Sequence, residues 1–516
     1  MRRRPLYLSD VIQTDLLLAH LPAATAAMRI TGLQDDSRAV KPGHLFFAIP
    51  GVKIDGRQFA TMAAENGALA VITDARPLDS SLKAMAAADV PIIQTHNARL
   101  ALATAAARFW RKQPGMIAAI TGTNGKTSTS EFLRQIWGRA TWQSASIGTL
   151  GLRANATRKM QGSLMGLPSL TTPDALSLHA NLVPLTELGI THLAIEASSH
   201  GLEQHRLDGL NIHVAAFTNL SHDHLDHHPS MDAYFDAKKR LFTELLMHAG
   251  AAVINIDDPY GRQLAGILRS DAPDHVVTTF GHAEDADFRI TAIEPVGASL
   301  LMRLHHAGTD WQIPLALSAQ FQAANALTAA LLAYHSGLAL HDSLGSLPYL
   351  RSVPGRMQTV TGHPTGARVI VDYAHTPDAL ESALISLRPE AQGNLVVLFG
   401  CGGDRDASKR GEMGAIAAKL ADRVYVTDDN PRTEDPAIIR NAITASAPDA
   451  IEIANRDEAI RTALTGLATG DVLLIAGKGH EESQIVGDET LPFSDTSVAQ
   501  THITALAAAA KAGGTP

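Results

Sequence analysis

The chain has 516 residues, 45% of them hydrophobic and 18% charged, an ordinary balance for a globular protein with room for about three domains. A net charge of -9 argues against general nucleic-acid binding, and no apolar run reaches the roughly 20 residues a membrane span needs. The single cysteine, Cys401, excludes an intramolecular disulfide and suits a reducing cytoplasm.

The N-terminal run "MRRRPLYLSDVIQTDLLLAH" starts basic, but Ser9, Asp10, Gln13 and Asp15 interrupt its apolar part, so no secretory signal is expected. Strands are predicted at "HLFFAI" (44–49), "ALAVIT" (68–73), "PIIQT" (91–95), "MIAAIT" (116–121), "HLAIEA" (192–197) and "VAAFTN" (214–219). Further strands are predicted at "AAVINI" (251–256), "RVIVDY" (368–373), "NLVVLFG" (394–400), "RVYVTD" (423–428) and "DVLLIAG" (471–477). Between most of them lie stretches of helical periodicity, such as "SEFLRQIWGRA" and "KRGEMGAIAAKLAD". Alternating strands and helices predict α/β domains with doubly wound parallel sheets. Residues 286–316 alternate more like antiparallel strands and are expected to elaborate the middle domain. Linkers at "RKQPG" (111–115) and "YLRSVPGRM" (349–357) divide the chain into domains at 1–112, 113–350 and 351–516, with a frayed tail "KAGGTP".

After "MIAAIT" comes Gly122-Thr123-Asn124-Gly125-Lys126-Thr127, two residues shorter than the usual Gly-x4-Gly-Lys-Ser/Thr phosphate loop. A strand, a glycine turn and a helix start would aim backbone N–H groups at an anion. Lys126 would neutralise phosphate charge and Thr127 would offer a hydroxyl to Mg2+. A plain glycine turn is the alternative. Other strand ends carry "EASSHGLEQHR" (196–206), "TNLSHDHLDHH" (218–228), "DYAHTPDA" (372–379), "FGCGGDRD" (399–406), "TDDNPRTEDP" (427–436) and "AGKGHE" (476–481). Ligands gather at the carboxyl ends of parallel strands, and so many polar segments there exceed what turns require.

Together with "DSR" (36–38), "DAKKRLF" (236–242) and "VPGRM" (353–357), these motifs resemble the Mur ligase family over nearly the whole chain. Folylpolyglutamate synthetases share the short loop but not the C-terminal motifs. The resemblance implies a P-loop-type central domain, a Rossmann-like C-terminal α/β domain and a smaller N-terminal α/β domain. It implies an ATP-dependent amide ligase of peptidoglycan precursor synthesis that works through an acyl phosphate. A monomer in the cytoplasm is expected, without nucleic-acid or membrane partners.

The same matching assigns residues. Lys126, Glu196, His224 and Lys238 would be catalytic, with Mg2+ on Thr127, Glu196, His224 and Lys238, the last as a carbamate (Lys239 is the register alternative). ATP would meet residues 122–127, Ser128, Asn325, Arg356 and Asp372, with His375, Lys409 and Arg410 nearby. The UDP-muramyl dipeptide would meet Ser37, Thr171, Thr172, Ser198, Gln204 and Arg206. Thr172 also reads as a helix N-cap ahead of Pro173. meso-Diaminopimelate would meet Arg405, Asp429, Asn430, Pro431, Arg432, Gly477 and Glu481, with Arg432 on its second carboxylate. A salt bridge from Arg432 to Glu434 or Asp435 is the competing reading.

The histidine-rich "HDHLDHH" (222–228) invites a zinc reading, but the family pattern uses His224 alone. His222, His227 and His228 are expected to face solvent or lie beside substrate. The chain departs from the pattern in "AQFQAAN" (319–325), where Ala319 and Gln322 replace a glycine and an asparagine. Asp35 stands where relatives carry an apolar residue, and "GVKIDG" (51–56) matches weakly. Alternative functions are the lysine-adding ligase of the same family, distinguished by Arg432, and a catalytically inactive nucleotide-binding regulator.

Overall fold

The structure is a computed structural model that describes residues 5–51, 54–87, 90–155, 170–223, 227–297 and 299–512. Three sheets of four, ten and six strands follow one another along the chain.

The first sheet has the order β1-β2-β3-β4, all parallel: β1 (Gly32–Gln34), β2 (His44–Phe47), β3 (Ala70–Thr73) and β4 (Ile92–Gln94). Leu45, Phe46, Phe47, Val71 and Ile72 are all buried, as expected for short apolar strands covered on both faces. Helix α1 (Ala98–Trp110) closes this unit. Its cap Asn97 accepts from the N–H groups of Arg99 and Leu100 and, from its amide nitrogen, reaches His205 Nε2 in the middle of the chain at 2.8 Å.

The central sheet contains β5 (Met116–Thr121), β6 (Ser144–Gly148), β7 (Gly151–Ala154), β8 (His192–Glu196), β9 (Ile212–Phe217), β10 (Leu246–Asn255), β11 (Val276–Gly281), β12 (Phe288–Val296), β13 (Ser299–His306) and β14 (Thr309–Leu315). Their order is β14-β13-β12-β11-β10-β9-β5-β8-β6-β7. β5 lies between β8 and β9 and is parallel to both, with Ile120 opposite Glu196 and Thr121 opposite Phe217. That register sets three loops side by side at one sheet edge. β12, β13 and β14 pair antiparallel and extend the far edge, with Ile290, Leu300, Met302, Leu304, Ile313 and Leu315 turned into the core.

Helix α2 (Lys126–Arg139) runs back from the loop after β5 and buries Phe132, Leu133, Ile136 and Trp137. Against it packs α6 (Gln320–His335), whose Ala323, Ala326, Leu327 and Ala330 share that core. Each fully buried large apolar side chain is worth about 1.5–3 kcal/mol, so this pair anchors the loop firmly. Helix α3 (Ala175–Glu187) starts later than the sequence suggests. Asp174, not Thr172, caps it by accepting from the Ser177 N–H. The Thr172 hydroxyl is not available for capping because it donates to the Glu196 carbonyl at 2.8 Å. Helices α4 (Ser199–Glu203) and α5 (Met231–Arg240) cover the same end.

The third sheet has the order β15-β16-β20-β17-β18-β19: β15 (Gln358–Val360), β16 (Arg368–Asp372), β17 (Leu395–Phe399), β18 (Arg423–Val426), β19 (Ile451–Glu452) and β20 (Val472–Ala476). Only the edge strand β15 is antiparallel. A hairpin of β21 (Ser483–Val486) and β22 (Glu489–Pro492) leads to α7 (Asp495–Ala512). Asp495 forms a two-pronged ion pair with Arg456, both side chains fully buried, which ties α7 to the sheet.

Candidate active site

The loop after β5 is shaped by backbone that only glycine adopts readily. Gly122 has φ +145°, and a Cβ there would lie 1.9 Å from Thr218 Oγ1. Gly125 has φ +89° and precedes the first residue of α2. The Asn124 N–H donates to Asn219 Oδ1 (2.9 Å), and the Thr123 N–H to the Asn219 carbonyl (2.8 Å), so the loop after β9 braces the loop after β5. Lys126 Nζ donates to the carbonyls of Gly122 (2.8 Å) and Thr123 (2.7 Å), curling over the loop where phosphates would sit. Burial pulls its pKa down, against the opposing pull of Glu196 and Asp223. Ser128 lies in the first turn of α2 and lines the same cleft.

Glu196 ends β8 and is 1% exposed. Thr127 Oγ1 donates to one carboxylate oxygen at 3.0 Å, and Thr149 donates from both N–H and hydroxyl at 3.0 Å. The approach is so close that a Cβ on Gly148 would lie 2.0 Å from Glu196 Oε1. Burial raises the carboxyl pKa, opposed by Lys126 and then Arg356. A buried carboxylate flanked by hydroxyls is an all-oxygen donor set, the chemistry a hard divalent cation such as Mg2+ prefers. Thr149 is a member that sequence reasoning missed, because the Ser/Ala-rich strand β6 before it lacks a strong apolar signal.

Lys238, on α5, is 1% exposed, and its Nζ donates to the Gly122 carbonyl at 2.9 Å. Burial first, and the neighbouring Lys126 second, push its pKa well below that of an ordinary lysine. Lys239, the alternative in register, points outward and pairs with Asp236. His224 lies outside the described residues. Among its neighbours, His222 is exposed. His228 is not: it is 3% exposed and stacks on Tyr234, whose hydroxyl meets Thr123 Oγ1 at 3.1 Å.

The cleft over the loop measures about 500 Å3 and is walled on one side by α6 and on another by the C-terminal unit. Asn325 faces the loop, with Oδ1 2.4 Å from where a Gly125 Cβ would be, and its amide donates to Gln322 Oε1 at 3.1 Å. Gln322 thus orients Asn325 from one turn earlier, and both line the cleft. Ala319 has φ +67° and ψ 128°, a conformation almost confined to glycine, which explains the glycine of the family pattern. Arg356 stacks on the Tyr373 ring at 4.3 Å and donates to Thr127 Oγ1 at 3.2 Å. Asp372 accepts from the N–H groups of Met357 (2.7 Å) and Ala374 (2.8 Å), which fixes the bend that aims Arg356. His375 also lines the cleft, while Lys409 Nζ is held by the His375 carbonyl at 2.7 Å. Arg410 is instead buried and committed through Nη2 to Glu434 at 2.9 Å, and it does not line the cleft.

On the opposite side, Thr171 Oγ1 lies 3.2 Å from Thr149 Oγ1, and Thr172 Oγ1 lies 3.0 Å from Ser198 Oγ. Arg206 donates to the Thr172 carbonyl (2.7 Å) and Gln204 Oε1 (2.9 Å). These five residues form one polar shelf beside Glu196. Ser37 is apart from them. It is buried in the first unit, with its hydroxyl turned to Met62 Sδ at 3.3 Å.

At the far end, Asp429, Asn430 and Glu481 surround Lys478, which is completely buried. Its Nζ lies 3.0 Å from Asn430 Oδ1 and 3.1 Å from Glu481 Oε2. Asn430 also donates to Glu481 at 2.8 Å. Lys478 was legible in "GKGHE" but received no role from sequence. The Gly477 N–H donates to the Asp372 carbonyl (3.2 Å), and the Pro431 carbonyl packs on Gly403. Arg405 is exposed. Arg432 makes no ion pair among the described residues. Glu434 belongs to Arg410, and Asp435 caps the following helix. Its guanidinium donates to the Gly403 carbonyl at 2.7 Å, and its backbone, at φ +52°, is clamped between Ile485 and Gly487.

Family models match three successive segments: "Mur ligase family, catalytic domain" at 29–110, "Mur ligase middle domain" at 120–333 and "Mur ligase, glutamate ligase domain" at 355–479. A curated UDP-N-acetylmuramoyl-L-alanyl-D-glutamate--2,6-diaminopimelate ligase from Bradyrhizobium diazoefficiens is 47% identical over 95% of this chain and 97% of its own. A solved structure of a ligase with that same name matches at TM-score 0.69 and 31% identity, covering 97% of this chain and 99% of the other. The MurF ligase from Thermotoga maritima in complex with ADP shares the fold at TM-score 0.56 and 19% identity, covering 92% and 96%.

Proposed function

The chain belongs to the Mur ligase family, and from that premise we propose that it is an ATP-dependent amide ligase joining meso-diaminopimelate to UDP-N-acetylmuramoyl-L-alanyl-D-glutamate in peptidoglycan precursor synthesis. The dipeptide's free carboxylate attacks the γ-phosphorus of ATP and ADP leaves. The diaminopimelate amine then attacks the acyl-phosphate carbon, loses its proton, and inorganic phosphate leaves.

In this reading the loop 122–127 cradles the phosphates with its N–H groups, and Lys126 lies across the charge that spreads onto the transferred phosphoryl oxygens. Arg356 adds a second cation from the C-terminal unit and so links nucleotide contact to domain closure. Asn325, held by Gln322, and Asp372, which fixes the Arg356 turn, complete the nucleotide side. Thr127, Glu196, His224 and Lys238, the last as a carbamate, would hold Mg2+. A bound Mg2+ would neutralise phosphate charge and orient the phosphoryl oxygens. The buried, cation-flanked position of Lys238 supports reaction of its neutral amine with CO2, forming an N–C bond and releasing one proton. Thr171, Thr172, Ser198, Gln204 and Arg206 would position the dipeptide carboxylate beside Glu196, with Ser37 reached from the first unit. Asp429, Asn430, Gly477 and Glu481 would receive the ammonium and carboxylate of one end of diaminopimelate. Arg405, Pro431 and Arg432 would frame the other end, where Arg432 offers a guanidinium to the second carboxylate.

The observation that carries the site assignment is the Thr127–Glu196 contact, because it places an oxygen donor set directly under the phosphate loop. No helix among the described residues is long and apolar enough to cross a membrane, and the nucleotide substrates favour the cytoplasm. The test is ADP release with ATP, Mg2+, UDP-muramyl dipeptide and either diaminopimelate or lysine. Strong release with diaminopimelate and little with lysine is expected. Equal release with both would remove the specificity assignment, and none with either would leave only a nucleotide-binding regulator.

A further inference from the structure

Three imidazoles converge outside the phosphate cleft. His200 lies on α4, whereas His227 and His228 precede α5, and one ring nitrogen from each lies within 4.8 Å of the others. The ring planes of His227 and His228 are turned 79° apart, with centroids 4.9 Å from each other. His200 stacks on His227 at 3.8 Å and meets His228 at 5.8 Å. Glu203 Oε2 sits 2.7 Å from His227 Nε2. A carboxylate on one imidazole nitrogen orients the ring and raises the basicity of the other. His228 is locked in place from behind by Tyr234, while His200 and His227 are half-buried and reachable from solvent.

We propose that His200, His227 and His228 form a binding site for a borderline transition-metal dication of the Zn2+ class, with Glu203 as the carboxylate that orients His227. Three imidazoles select this class over Mg2+, which prefers oxygen. Zinc–nitrogen bonds of about 2.0–2.1 Å set tetrahedral ligand nitrogens about 3.3 Å apart, so binding requires side-chain rotations that close the triad by about 1.5 Å and turn His200 out of its stack on His227, because each imidazole meets a metal in its own ring plane. The site is distinct from the oxygen donors at Thr127 and Glu196. The run "HDHLDHH" concealed it, because the third ligand comes from His200 on another element. An ion here would tie α4 to the chain entering α5, reinforcing the existing bond from Arg240 Nη1 to the Leu202 carbonyl at 2.8 Å. α5 is also the helix that carries Lys238.

The test uses the untagged full chain, stripped by chelator, kept in excess Mg2+ and titrated with Zn2+ against a chromophoric competitor. Wild type and His222→Ala should each take up one tight equivalent. His227→Phe, which preserves the stack on His200, and His200→Phe should bind at least a hundredfold more weakly with unchanged circular dichroism. Glu203→Gln should weaken binding by roughly ten- to a hundredfold. Co2+ in place of Zn2+ should give tetrahedral ligand-field bands in wild type that vanish in His227→Phe. An equivalent retained by His227→Phe, lost in His222→Ala, or missing from wild type overturns the proposal.

Discussion

Arg356 reaches from the C-terminal unit to the phosphate loop and donates from Nη2 to Thr127 Oγ1 at 3.2 Å, while its guanidinium lies over Tyr373. The segment before β15 and the first turn of α2, far apart in sequence, therefore meet on the hydroxyl that also donates to Glu196. Arg356→Ala should raise KM for ATP by roughly ten- to a hundredfold, the loss of a hydrogen bond made by a charged group, with little change in Tm. ADP release against ATP concentration checks this. An unchanged KM would separate Arg356 from the nucleotide.

Lys126 is the cation closest to the loop carbonyls. Lys126→Met should lower kcat by about a hundred- to a thousandfold, the usual cost of removing one preorganised charge partner of a transition state. Single-turnover measurement of acyl-phosphate formation locates the defect in phosphoryl transfer. A defect confined to the second, amine-dependent step would contradict the role given to Lys126.

Arg432 makes no ion pair among the described residues and is held mainly by the Gly403 carbonyl, so Arg432→Ala should leave the fold intact. For diaminopimelate, kcat/KM should fall by roughly 30-fold or more, as for an unpaired charge in a closed site. The value for lysine should change little. Parallel assays with both amino acids give the ratio.

Ala319 bears a backbone conformation that favours glycine while its methyl is fully buried. Relief of that strain, about 1–3 kcal/mol, outweighs loss of one buried methyl at about 0.8 kcal/mol. Glycine also loosens the unfolded chain, at a cost of about 0.4–1 kcal/mol, so Ala319→Gly should stabilise the protein by about 0.5 kcal/mol. Urea titration of both forms measures the difference, and a destabilised variant would show that the φ of +67° is not strained.

His179 is 2% exposed, lies 3.0 Å from the Asp208 carbonyl, and is held neutral by burial, with its pKa lowered to about 4. The unfolded chain binds the proton near pH 6.5, so the folded state binds fewer protons between those values. The contribution of His179 is full above about pH 6.5 and is lost as pH falls toward 4, by about 3 kcal/mol at the limit. Stability of His179→Gln should depend less steeply on pH across that window than wild type. Parallel slopes would assign the acid sensitivity elsewhere.

The eleven apolar strands were legible because buried parallel strands are continuous runs of Val, Ile, Leu and Ala, as in Met116–Thr121. Ser144–Gly148 was not, since small residues suit a strand crowded by Arg134 and Glu131 yet carry no apolar signal. Thr172 was misread as a cap because its competing partner, the Glu196 carbonyl, comes from a strand 24 residues away.

The sequence alone determined the α/β class, the phosphate loop and the motifs that identify the ligase family, since local pattern and short spacings encode them. Only the tertiary structure decided that Thr149 donates to Glu196, that Gln322 holds Asn325, that Arg432 stays free of Glu434, and that His200 lies beside His227 and His228. Each of these depends on which chain segments the sheet register sets side by side. Register is fixed by packing of whole strands and helices, which no short stretch of residues contains.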